Sequence, residues 1–246
     1  MEFRFYAELG DFLPPGRRGR AFEHAVAPHE NAKHAIEALG VPHTEVALLL
    51  VNGRPAPLES FLQPGDRVAV LPALRRLAPE VPAGGRRFIA DAHLGRLARY
   101  LRFAGLDTLW HNAWDDAELV ALAADEDRIV LTRDRALLMH RHVHAGGWLR
   151  DDDPLAQLAD VARRWSLPLH EPGPSRCLEC NAVPVPVPKA EVAERLLPNT
   201  RASFEQFWRC PGCQRIFWRG SHWRRMHEAV RGVAATLASL RPVSVR

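Results

Sequence analysis

The residue pattern points to an α/β chain in three parts, and three observations carry that reading. Residues 1–72 order their candidate elements β-β-α-β-β, residues 87–169 alternate strand with helix, and the four cysteines fall in two Cys-x-x-Cys pairs near the C-terminus. The first order suggests a small β-grasp sheet, the second a parallel sheet with crossover helices, and the third a structural zinc module.

In the first part Phe3 and Phe5 alternate with Arg4 and Tyr6, the period of a half-buried strand, and residues 20–26 supply the next. Asn31 stands where a helix to Leu39 would be capped, and Gly40 closes it. Residues 46–51 and 67–71 read as strands, with Asn52-Gly53 as a hairpin signal between them. Residues 73–87 lose periodicity and gather Pro and Gly, so a linker is expected there. The resulting division is 1–75, 86–170, 171–228 and a helix or tail over 229–246.

The second part carries the acids. Residues 87–90 form a short apolar strand that ends on Asp91, and Leu94, Leu97, Ala98 and Leu101 then give a helix one apolar face, stopped by Gly105. Arg96, Arg99 and Arg102 are expected on its solvent face, where they would engage phosphates. Residues 108–111 read as a second strand, and Asp115 or Asp116 opens a helix through Glu118, Leu119, Leu122 and Ala123. Residues 129–132 make a third strand before Asp134, and residues 147–150 a fourth before Asp151, Asp152 and Asp153 and a helix from Pro154.

Asp91 and Asp134 each follow the C-terminal end of a strand, the edge of an open parallel sheet where ligands bind. With Asp116 and one of Asp151 to Asp153 they would repel one another unless a cation sat among them, and hard oxygen donors suit Mg²⁺ or Mn²⁺. That is the layout of a metal-dependent phosphodiesterase. The competing role is helix capping: Asp is a favoured N-cap, Asp115 with Glu118 has capping-box spacing, and Asp153 precedes a proline. Both roles stay open for each aspartate. Capping leaves unexplained why two of them stand at strand ends in a basic chain.

Cys177 and Cys180 with Cys210 and Cys213 match the four thiolates of a structural Zn²⁺ site, with Pro211 and Gly212 supplying turn chemistry in the second pair. A pair of disulfides is the rival; it needs an oxidising compartment, and Met-Glu-Phe-Arg-Phe-Tyr at the start has no apolar leader core, so a cytoplasmic chain is expected. No long uncharged apolar run suggests a membrane span. A net charge of +4 and a pI near 9.2 favour a polyanionic partner. Basic and aromatic residues interleave at 207–209 and 216–225, where Arg219, Arg224 and Arg225 beside tryptophans fit single-stranded RNA; the same rings could equally fill a tiny core. His140, His142 and His144 alternate as on an exposed strand or loop, and His93 reads as a first-turn helix residue.

Residues 88–107 (Phe-Ile-Ala-Asp-Ala-His-Leu-Gly through Leu-Asp), then Asp116-Ala-Glu-Leu, Ile129-Val-Leu-Thr-Arg-Asp134 and Arg176-Cys-Leu-Glu-Cys-Asn181 with a later Cys-Pro-Gly-Cys, resemble the Mut-seven C-terminal RNase family in order and spacing. The resemblance implies a PIN-like nuclease fold with a zinc ribbon and an acidic, divalent-metal-dependent RNase site. Position by position, Asp91 and Asp134 match the core acids and Asp116 the middle one, while the last falls among Asp151, Asp152 and Asp153, with Asp152 preferred. Residues 1–72 resemble the ubiquitin-like domain often fused to this RNase, itself similar to sulfur carriers, through Val51-Asn-Gly-Arg-Pro and residues 62–72. Carrier chemistry needs a free terminal Gly-Gly, whereas Gly84-Gly85 is internal, so a docking or stabilising module is expected. The expectation is thus a ribonuclease with structural Zn²⁺ and catalytic Mg²⁺ or Mn²⁺, RNA as substrate and a protein partner for the ubiquitin-like part. Its rival is a non-catalytic RNA-binding adaptor.

Overall fold

The computed structural model describes residues 1–72, 86–169 and 175–239. Strands β1 (Glu2–Phe5) and β2 (Ala21–Glu23) precede helix α1 (Ala32–Ala38), and β3 (Leu48–Val51), β4 (Arg54–Ala56) and β5 (Arg67–Leu71) follow it. Next come β6 (Arg87–Ala90), α2 (Gly95–Phe103), β7 (Asp107–Leu109), α3 (Asp116–Asp125), β8 (Ile129–Thr132), α4 (Arg135–Leu138), β9 (Gly146–Trp148) and α5 (Pro154–Arg164). The last part holds β10 (Val185–Val187), α6 (Lys189–Val192), α7 (Pro198–Ser203), β11 (Phe207–Arg209), β12 (Ile216–Phe217) and α8 (Ser221–Ser239). The chain divides into two compact units, Met1–Val81 with Asp115–Trp148, and Pro82–Trp114 with Leu149–Arg246.

In the first unit the five N-terminal strands form one sheet in the order β2-β1-β5-β3-β4. Only the β1–β5 pair is parallel, and α1 crosses between the hairpins, which is the β-grasp arrangement. Period-two alternation turns Phe3, Phe5, Leu49, Val68 and Val70 inward, where they meet Ala32, Ala35 and Ile36 of α1. Asn31 starts that helix as expected, its side-chain oxygen accepting the His34 N–H at 2.9 Å. Asn52 and Gly53 both have positive φ, 53° and 79°, the backbone that a two-residue hairpin turn demands.

The same unit contains β8, paired in parallel with β9, and the β-grasp module rests on this pair. The Phe12 ring lies 4.9 Å from Trp148, and the Arg135 guanidinium sits 4.2 Å from the Trp148 centroid and 5.0 Å from that of Phe12. The Trp148 N–H donates to the buried Glu45 carboxylate at 2.6 Å, and His43 lies between Glu37 and the Val143 carbonyl at 2.6 and 2.9 Å. The module therefore stabilises the segment that carries Asp134.

In the second unit β6 and β7 pair in parallel, and α2, α5 and α8 pack together around them. Phe88 meets Trp165 edge-on at 5.6 Å. Helix α8 turns Met226, Val230 and Val233 inward. The ribbon strands pair antiparallel in the order β10-β11-β12 over a small core of Val192, Leu196 and Phe207. Among the described residues no helix is long and apolar enough to cross a membrane. Most of the linker expected over 73–87, with Gly84-Gly85, and the tail beyond residue 239 lie outside the described residues.

Candidate acidic site and cysteine metal centre

The two Cys-x-x-Cys segments fold alike because the same backbone hydrogen bonds close both. The Asn181 N–H donates to the Cys177 carbonyl and the Gln214 N–H to the Cys210 carbonyl, each at 3.0 Å. The Cys177 N–H donates to Ala182 at 2.8 Å and the Cys210 N–H to Arg215 at 2.9 Å. Each loop is completed by a residue in the left-handed region, Asn181 at φ 70° and Gln214 at φ 59°. Two such knuckles, facing each other, aim four sulfurs at one point.

The four ligand atoms lie within 4.8 Å of one another, with Cys177 to Cys213 at 3.5 Å and Cys180 to Cys210 at 3.2 Å. All four cysteines are free thiols, and sulfurs bonded to a common Zn²⁺ at its usual length stand about 3.8 Å apart, so the spacing suits a tetrahedral ion. A Cβ on Gly212 would come 3.1 Å from the Cys180 sulfur and 3.8 Å from that of Cys210, which explains a glycine there: a side chain would crowd the cluster. Burial pushes the Cys177 thiol up to about 12, so a metal ion would have to displace its proton.

Arg102 anchors the first knuckle, which corrects its expected place on the solvent face. It is 1% exposed. Its Nε donates to the Thr108 carbonyl at 2.8 Å, and Nη1 to the carbonyls of Leu178 and Glu179 at 2.9 and 3.0 Å. The two residues between Cys177 and Cys180 are thus held by a cation from α2. Burial lowers the Arg102 pKa from its ordinary value, opposed by the negative charge of Cys177, Cys180 and Glu179. The buried guanidinium in turn offsets the charge of a thiolate cluster. Asn181 adds a second anchor, donating to Asp107 at 2.8 Å and accepting the Thr108 N–H at 3.1 Å. Arg176 adds a third through the Asn181 and Gly105 carbonyls and the Asp107 carboxylate. The motif Arg176-Cys-Leu-Glu-Cys-Asn181 includes both residues without declaring these anchoring roles, although Asn after a Cys-x-x-Cys is a signal for a left-handed residue.

The aspartates divide by what their carboxylates do locally. Asp115 closes a full capping box with Glu118, at 2.9 and 3.2 Å, and Asp153 caps α5 by accepting the Ala156 N–H at 2.9 Å. Asp151 accepts the Asp153 N–H at 2.9 Å and so shapes the turn before that helix. Asp152, between them, takes no part in these bonds. Asp134 caps the four-residue α4 through one oxygen, which accepts the Ala136 N–H at 2.8 Å. Asp116 is exposed at the first position of α3. Asp91 ends β6 and precedes a short 3-10 turn that its side chain does not cap. Asp91 and Asp152 belong to the second unit, Asp116 and Asp134 to the first.

Trp110, which the sequence reading passed over, shapes the turn after Asp91. Its Nε1–H donates to the Ala92 carbonyl at 3.0 Å, and a Cβ on Gly95 would fall 2.5 Å from its ring. Of the arginines on α2, Arg96 is exposed and Arg99 reaches Glu179 at 3.4 Å. Arg224 and Arg225 are exposed on α8. The tryptophans split: Trp218 packs on the ribbon core, whereas Trp208 and Trp223 flank the Arg219 guanidinium at 5.6 and 5.3 Å. His140, His142 and His144 are exposed, as expected, and His93 is exposed in the 3-10 turn after Asp91.

The model of the Mut7-C RNAse domain matches residues 86–230, more than half of the chain. The chain belongs to the Mut7-C RNAse domain family. The matched stretch runs from β6 through both cysteine knuckles into α8, so in this family member the knuckles lie inside the RNase domain's bounds, in keeping with the anchoring of the first one by Arg102. A second model, Mut7-C ubiquitin, matches residues 1–78 and covers the β-grasp sheet. No curated protein and no solved structure matches the chain.

Proposed function

We propose that this chain is a divalent-metal-dependent ribonuclease that hydrolyses RNA phosphodiester bonds, with Asp91, Asp116, Asp134 and Asp152 as the metal-holding acids. The observation that carries the reading is Asp91: a carboxylate at a strand's C-terminal end, inside a matched RNase domain, that leaves the following turn uncapped. Asp115, Asp151 and Asp153 have local backbone duties, which leaves Asp116 as the better ligand in its run, while Asp152 is kept on its match to the family's pattern. Asp134 commits one oxygen to a cap and retains the other. Four hard carboxylates fit Mg²⁺ or Mn²⁺. When bound, such an ion supplies activation of water and charge stabilisation at the leaving oxygen. Trp110 holds the Asp91 turn in place, while Arg96 and Arg99 on α2, and Arg219, Arg224 and Arg225 beyond the knuckles, offer charge to the phosphate backbone. The four cysteines hold structural Zn²⁺ in this reading. The part boundaries 1–75, 86–170, 171–228 and 229–246 go with it, as does a cytoplasmic setting. The ubiquitin-like module braces the Asp134 segment and leaves its outer face for a protein partner.

Purified chain incubated with an unstructured RNA should cleave it in Mg²⁺ or Mn²⁺ and not after metal chelation, with activity restored by adding the ion back. Intact RNA under both metals would replace this reading with the RNA-binding adaptor.

Zinc has its own test. Freshly purified reduced protein should contain about one Zn²⁺ per chain, and Cys210→Ser should lower that content. Metal analysis finding no zinc would contradict the assignment.

A further inference from the structure

One cavity lies in the second unit, and none of the four acids lines it. It has a volume of about 780 Å³ and is lined by Trp208, Trp218 and Trp223, by Pro184 and Pro186, and by cations, with no carboxylate among the described residues that line it. Its volume falls within the roughly 300–1,000 Å³ of ligand-sized sites. Trp208 and Trp223 are half-buried, so each keeps part of a ring face open. Arg219 makes only ring contacts among the described residues, its guanidinium over both indoles. The Trp223 ring continues onto His227 one turn along α8, stacked at 4.7 Å with an interplanar angle of 15°. Arg176 is committed to Asp107 and two carbonyls, which leaves Arg219 as the cation able to meet an anion, with the exposed imidazole of His222 on the same lining. Arg224 and Arg225 extend that positive character outside the rim.

From this geometry we infer that the cavity receives an unpaired nucleobase of the RNA substrate, stacked on the indoles of Trp208 and Trp223, with Arg219 bridging to the adjoining phosphate. RNA as the occupant rests on the ribonuclease reading; the rest comes from the lining. Aromatic faces take any base, and the absence of carboxylates favours an anionic backbone. Bases in an A-form duplex are stacked and turned inward, out of reach of such a cavity. The substrate class is therefore single-stranded RNA, or the unpaired end of a duplex. The site serves the reaction by fixing the register of the strand while the acids act elsewhere on it.

Binding can be read without cleavage, using full-length Asp91→Asn protein in its zinc-loaded state with no Mg²⁺ or Mn²⁺ added, and a single-stranded RNA oligonucleotide, followed by indole fluorescence and anisotropy. The single strand should bind at least tenfold more tightly than the same sequence as a blunt duplex. Arg219→Glu and, separately, Trp208→Leu should each weaken the single-strand complex; stacking on one aromatic ring is worth roughly 5- to 150-fold per base. Unchanged zinc content and thermal unfolding in these variants exclude a folding defect. Affinity unchanged in both variants, or a duplex bound as tightly as the single strand, would overturn the inference and give the cavity to a protein or small-molecule partner. If wild-type chain cleaves RNA while both variants bind normally, the cavity inference fails and the ribonuclease reading stands. If both variants lose binding but wild-type chain never cleaves, the ribonuclease reading fails and the cavity assignment stands.

Discussion

Asp91→Asn is expected to lower metal-dependent RNA cleavage by about a hundredfold or more while leaving the unfolding temperature close to wild type. Charge stabilisation by a catalytic ion is worth several kcal/mol, and each 1.36 kcal/mol is about tenfold in rate. A small stability change is expected because the Asp91 side chain does not cap the 3-10 turn that follows it and Asn keeps the size and an accepting oxygen of Asp. Asp115→Ala provides the contrast. That residue closes a capping box, so its loss should cost about 1 kcal/mol of stability and leave cleavage intact. Activity assays and thermal melts on the two variants separate a metal ligand from a cap.

Arg102→Met should be among the most destabilising single substitutions in the chain. It would strip hydrogen bonds from the Thr108, Leu178 and Glu179 carbonyls and remove the cation beside the cysteine sulfurs. A buried acceptor left without a partner costs about 1–3 kcal/mol, so a loss of about 3 kcal/mol or more is expected, together with weaker zinc retention. Arg102→Lys should recover only part of this, because one ammonium cannot reproduce a planar fork that reaches four carbonyls, Trp110 included. Thermal unfolding read beside zinc content checks both halves. A surface role for Arg102 would instead leave both near wild type.

What was legible in the sequence was local. Asn52-Gly53, the Asn31 cap, the Asp115-x-x-Glu118 box and the paired cysteines each declare a geometry within a few residues, and each is found. Arg102 was misread because its neighbours in space are distant in sequence: Leu178 and Glu179 lie 76 and 77 residues away. Helical periodicity does place it on the flank of the Leu97 and Leu101 face, not opposite to it, a hint that counting arginines along α2 obscured. Trp110 was hidden for the same reason. Its indole meets Ala92 from 18 residues away, through β7 pairing with β6. For the acids, spacing marked Asp115 and Asp153 as candidate caps with the metal role still open, whereas the distinction between Asp91 and a cap depended on backbone geometry that residue type alone does not fix.

The decisive observation is Mn²⁺ binding by the zinc-loaded chain, followed through loss of the free-ion signal in electron paramagnetic resonance. Wild-type protein should take up Mn²⁺, and Asp91→Asn and Asp134→Asn should each take up markedly less at the same ion concentration, with zinc content unchanged in all three. Equal Mn²⁺ uptake by wild type and both variants, or none by wild type, would contradict the assignment of these acids to a catalytic metal.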